Sequence, residues 1–174
     1  CSVDVRACST SSEVINPARA KGYESIWLVG ISLGGLGSLL YSQAFPQDIS
    51  GVYAMAPYLG DKILVKQVMD AGLAQWRPGE PAPLGGDAWR LAQAYQSGAT
   101  GLPQGFIGYG ESDRFAQANA LFATALPATH RYVVEGGHDW RTWKTLWLRF
   151  LESGVMGQTQ RAHRACATTL SQNQ

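Results

Sequence analysis

Four short apolar runs constrain this chain most: residues 26–29, 52–56, 106–109 and 131–134. None alternates polar with apolar side chains. Continuous apolarity in short, β-rich runs predicts strands buried on both faces, the condition of a parallel sheet. Helical patterns lie between them. Residues 11–21 follow serines suited to capping and stop at Gly22. Residues 34–45 end at Pro46, and residues 113–126 end at Pro127. Residues 140–151 place Trp143, Leu146, Trp147 and Phe150 on one face, with Gly154 beyond. Alternating strands and helices predict a three-layer α/β domain, with a mainly parallel sheet of about four strands, helices on both faces and right-handed crossovers.

The composition fits one such domain, expected over residues 1–152. Of 174 residues, 45% are hydrophobic and 16% charged, enough apolar material for a buried core. The net charge of +1, without a basic stripe, gives nucleic acid no docking surface. No apolar run approaches the roughly 20 residues of a membrane helix. Cys1, Cys8 and Cys166 lie near the chain ends and show no zinc spacing, although one disulfide remains open. Nothing in the sequence asks for a metal, flavin or nucleotide, so no cofactor is expected. A first residue Cys1 leaves two locations open, a lipidated position in the bacterial cell envelope and the cytoplasm.

Two segments depart from the alternation. Residues 61–98 hold weak helical patterns at 62–73 and 88–96 around a Pro/Gly segment at 77–83. They read equally as a cap-like excursion and as a long crossover. Residues 153–174 are polar without an apolar period and read as a weakly ordered tail.

Candidate chemistry begins at Gly30-Ile31-Ser32-Leu33-Gly34, where an apolar strand runs into a helical segment. In a strand–turn–helix this tight, Gly30 and Gly34 are the positions expected to lack side chains. Ser32 is then lifted clear at the carboxyl end of a strand, where open α/β sheets bind ligands. Of the three histidines, His163 lies in the tail and His130 precedes the last strand. His138 follows that strand, within reach of Ser32. Asp113 and Glu111 both follow the third strand, and Asp113 also suits a helix N-cap. Asp61 is a more distant candidate. Asp139 adjoins His138 and cannot easily turn back to its ring. The favoured set is Ser32 for attack, Asp113 for orientation and His138 for proton transfer, in nucleophile–acid–base order.

Three stretches resemble the esterase- and lipase-like part of the α/β-hydrolase superfamily: residues 26–37 around Ser32, Gly-Tyr-Gly-Glu-Ser-Asp-Arg-Phe at 108–115, and Gly-Gly-His-Asp-Trp at 136–140. The resemblance covers roughly residues 22–151. It implies a reduced form of that fold and hydrolysis of small-molecule carboxylic esters through an acyl-enzyme on Ser32, with the Leu33 N–H as one oxyanion donor. It also implies a departure, because only 31 residues precede Ser32. The second oxyanion donor is then expected from residues 1–24, residues 61–98 or a partner chain. The strand at 26–29 is left as an edge to be covered by residues 1–10 or by a second copy in a homodimer. Tyr58, Trp76 and Trp140 are the aromatic candidates for a substrate pocket. The alternative function is a non-catalytic, truncated domain that binds a ligand or partner.

Overall fold

A computed structural model describes residues 11–157. A π-helical turn, Ser11–Ile15, leads into α1 (Asn16–Ala20). Then follow β1 (Trp27–Ile31), α2 (Leu33–Ala44), β2 (Gly51–Met55), α3 (Lys62–Ala71), α4 (Gly86–Gln96), β3 (Gln104–Gly110), α5 (Ala116–Ala123), β4 (Arg131–Val134) and α6 (Trp140–Glu152). The four strands form one sheet in the order β1-β2-β3-β4, every pair parallel. All four therefore end at the same side of the sheet, and the loops after them share one rim.

The expected burial on both faces holds in β2, where every residue is buried, and in β3 beyond Gln104, but not in β1 and β4, which end the sheet among the described residues and leave Val29 and Val133 exposed. Val52 and Ala54 point into one core with Leu36 and Leu39 of α2, Leu64 and Val68 of α3, Trp89 and Leu91 of α4, and Phe122 of α5. Tyr53 and Met55 point into the other, with Phe106, Val134, and Leu146 and Phe150 of α6. The stripe read at Leu146 and Phe150 is thus the inner face of the third layer. The Tyr53 and Phe150 rings stack at 4.2 Å between centroids, and truncating such a buried ring costs about 3–5 kcal/mol.

Element boundaries differ from the sequence reading for local reasons. The helix expected at 11–21 is split, since Pro17 has no N–H to continue a helix through it. The helix expected at 113–126 begins only at Ala116, because the Asp113 carboxylate accepts the Phe115 N–H at 2.8 Å and forms a turn of its own. The 61–98 segment shares the core beneath α2. Trp89 is fully buried and its Nε1–H donates to the Leu59 carbonyl at 2.8 Å, while Trp76 is only 4% exposed. Beyond α6, Val155 and Met156 pack against the α6 side of the core. Residues 158–174, Cys1, Cys8, Cys166 and the expected cover from residues 1–10 lie outside the described residues. Among the described residues β1 pairs with β2 alone, and no helix is long and apolar enough to cross a membrane.

Candidate active site

Ser32 occupies the single residue between β1 and α2, with φ 55° and ψ −117°. A non-glycine residue there costs on the order of 1–3 kcal/mol and persists only where the surroundings hold it. Three backbone hydrogen bonds do so. The Ser32 N–H donates to the Met55 carbonyl at 2.9 Å, and the Ser32 carbonyl accepts from the N–H groups of Leu36 at 3.1 Å and Tyr58 at 3.0 Å. The turn is closed by Gly30, where a Cβ would collide with the Gly34 carbonyl. Gly34 is different from the sequence expectation, since a Cβ there meets nothing within 4 Å. The steric demand falls on one glycine because the helix leads its own second residue outward. As the first residue of α2, Leu33 has no intrahelical acceptor for its N–H.

The loops after β3 and β4 are joined to each other. Glu111 N–H donates to the Val134 carbonyl and Ser112 N–H to the Gly136 carbonyl, both at 2.9 Å, extending the ladder past the sheet. The approach is so close that a Cβ on Gly110 would strike the Gly136 carbonyl. Asp113 and His138 emerge from this paired end. Asp113 is 6% exposed; its Oδ1 accepts from Phe115 N–H and its Oδ2 lies 2.8 Å from His138 Nδ1. His138 Nε2 lies 3.0 Å from Ser32 Oγ. A carboxylate only accepts, so the proton sits on Nδ1 and Nε2 is left to accept from the Ser32 hydroxyl. Residues 32, 113 and 138 therefore form one continuous hydrogen-bonded line from carboxylate through imidazole to hydroxyl.

No family model matches the sequence, and no curated protein matches it. Solved structures do. A ferulic acid esterase is similar at 18% identity and TM-score 0.53 over 82% of this chain and 58% of its own. FphF, a fluorophosphonate-binding serine hydrolase of Staphylococcus aureus, is similar at 15% identity and TM-score 0.55, over 87% of this chain and 62% of its own. The monoacylglycerol lipase of Paleococcus ferrophilus is similar at 16% identity and TM-score 0.52, over 87% and 75%. This chain has the α/β-hydrolase fold. It spans less than two thirds of the length of the esterase and of FphF.

Within this α/β-hydrolase fold, two rings fix the plane of the His138 imidazole. Phe115 meets it edge-on at 5.0 Å and 83°, and Trp143 at 5.1 Å and 88°. Neither was read from the sequence as part of the site. Each reads as one more apolar helix position, and the signal for its role is adjacency alone, two residues past Asp113 and one turn into the helix after His138. The other candidates have separate tasks. Asp61 caps α3, accepting from Leu64 N–H at 2.8 Å. Glu111 is exposed. His130 Nδ1 lies 2.9 Å from the Gly105 carbonyl, with its ring stacked on Phe106 at 3.9 Å. Asp139 caps α6, and the backbone N–H of Thr142 holds its carboxyl below the usual range. His163 is outside the described residues. Among those residues no group of His, Cys, Asp and Glu is arranged to hold a metal ion.

A cavity of about 940 Å³ lies between α3 and the segment from Arg114 to Ala118. Tyr58 and Phe115 line it, and their rings meet at 5.6 Å. Both also touch the hydrogen-bonded line, Tyr58 through its N–H to the Ser32 carbonyl and Phe115 through the His138 ring. Of the aromatic pocket candidates, Tyr58 therefore borders the cavity. Trp76 is in the core, and Trp140, 65% exposed, packs at 90° on Trp143 outside the cavity lining.

Proposed function

We propose that this chain hydrolyses carboxylic esters of small molecules through an acyl-enzyme on Ser32. The observation that carries the reading is the line from buried Asp113 through His138 to Ser32, with 2.8 and 3.0 Å contacts at the two imidazole nitrogens. As Ser32 Oγ attacks the ester carbonyl, its proton passes to His138 Nε2, and the carbonyl oxygen becomes an oxyanion. Asp113 accepts the Nδ1–H and stabilises the imidazolium. The Leu33 N–H, free of an intrahelical acceptor, donates to the oxyanion, and the α2 N-terminus favours the developing charge. The carbon–oxygen bond to the leaving group breaks, and the Nε2 proton goes to the departing alcohol. Water then attacks the acyl-enzyme, gives its proton to His138, and releases the acid while Ser32 recovers its proton. The esterase, lipase and serine hydrolase of similar fold support this chemistry.

A second reading, a non-catalytic domain that binds a ligand or partner, draws on the edge of β1, which among the described residues pairs with β2 alone. A second copy pairing on that edge would make a homodimer, which light scattering would detect as a doubled mass. The decisive experiment compares hydrolysis of p-nitrophenyl acetate, butyrate and octanoate by the chain and by Ser32→Ala, with fluorophosphonate labelling of both. Turnover and labelling lost in the variant support the acyl-enzyme. A folded wild-type chain that neither turns over nor labels supports the binding domain.

A further inference from the structure

We propose that the cavity bordered by Tyr58 and Phe115 selects esters that carry a carboxylate, with Lys62 and Arg114 as the groups that read it; this rests on the ester-hydrolase reading above. The cavity has two kinds of wall. Val65, Met69 and Phe115 give it apolar surface, and charged groups stand at the start of α3 and beside Phe115. The charges do not all cancel locally. Lys66 is paired with Asp70 at 2.6 Å along α3. The Asp61 carboxylate accepts the Leu64 N–H at 2.8 Å. Lys62 and Arg114 make no ion pair among the described residues, and the lining as a whole is net positive. The Arg114 guanidinium is held over the Phe115 ring, 4.9 Å from its centroid. The same ring packs edge-on against His138. A cation thus stands one ring away from the proposed base, across a wall that also borders the cavity.

An ester with a short methylene chain ending in a carboxylate suits this arrangement. Its chain would lie on Val65, Met69 and Phe115 while the carboxylate meets the two cations, as a neutral ester of the same length cannot. Selectivity arises because guanidinium and ammonium groups gain a charge-assisted partner only from the anionic substrate.

The experiment measures kcat/KM at low salt for p-nitrophenyl butyrate, mono-p-nitrophenyl glutarate and 4-butyryloxybenzoate. The last two place the carboxylate on the acyl and alcohol sides. One anionic ester is expected to be preferred over its neutral counterpart, which also tells which side occupies the cavity. Exposed charge pairs of this kind change a rate by roughly threefold each, so Lys62→Gln and Arg114→Gln together should lower the anionic-to-neutral ratio about tenfold. Raising the salt to about 0.5 M should lower it as well. Equal rates for neutral and both anionic esters, or a ratio unchanged in the double variant, would overturn the proposal. If Ser32 neither labels nor turns over any ester, the hydrolase reading fails separately. The cavity is then read by an amide-resolved NMR titration with glutarate against glutaramide. Shifts at residues 62, 114 and 115 with glutarate alone support anion selection, and equal or absent shifts overturn it.

Discussion

The rim that holds Ser32, Asp113 and His138 and the cavity beside it are built by different means. At the rim, position is set by the main chain. Ser32 is tied to β2 through Met55 and Tyr58, and the loops of Asp113 and His138 are tied to each other through Ser112 and Gly136. The two tight approaches depend on glycines 30 and 110, whose Cβ atoms would meet carbonyl groups. At the cavity, position is set by side chains on the solvent face of α3 and by Arg114, and several of them are exposed. In the ester-hydrolase reading, the chemistry that tolerates little displacement is placed where the backbone leaves no choice. The proposed selectivity is placed where a side chain can be exchanged without disturbing the fold.

This contrast can be broken from the rim side. The largest effect is expected for Asp113→Asn, which leaves the Phe115 turn an acceptor but removes the carboxylate from His138 Nδ1. In the ester-hydrolase reading kcat should fall by about 10³–10⁴, measured on p-nitrophenyl butyrate, with little change in thermal midpoint. Next is a pair of neighbouring substitutions. Gly30→Ala should cost about 3 kcal/mol or more, or prevent folding, through its collision with Gly34. Gly34→Ala, at a position with open space, should be neutral or stabilise α2 by roughly 0.5 kcal/mol. Urea titrations of the two proteins make the comparison. If both alanines behave alike, the turn is not closed in the way described.

Smaller effects sharpen the same point. Ser32→Gly relieves the positive φ and should raise stability by about 1 kcal/mol; in the ester-hydrolase reading it should also abolish turnover. The smallest concerns Asp139, whose carboxyl is held low mainly by the backbone N–H of Thr142. Its folded value lies below its unfolded one, so its contribution is present above the ordinary carboxylate range and lost as pH falls through the folded value. The thermal midpoint of wild type should therefore exceed that of Asp139→Ala at pH 7, with the gap narrowing toward pH 3.

Much of the sheet was legible because short apolar runs leave a direct mark, although burial on both faces holds only for β2 and β3. β4 is the segment read at 131–134, and β1 to β3 differ from their runs by one or two residues at their ends. The loops were less legible. Asp113 suited both an orienting acid and a helix cap, and in the structure its two oxygens divide between His138 and Phe115 N–H. Gly34 looked equivalent to Gly30 because a pattern of residue types does not say which Cα–H points at a neighbour.

The apolar runs and the chain direction were enough to set the layers, the succession of strands and helices, and the rim on which Ser32, Asp113 and His138 had to fall. Both are local and one-dimensional. Folding in three dimensions was needed to join the Asp113 and His138 loops, to set Phe115 and Trp143 against the imidazole, and to bring Lys62 and Arg114, 52 positions apart, to the border of one cavity. Such contacts depend on distances between segments far apart in the chain, and these are set only when the sheet brings its strand ends together.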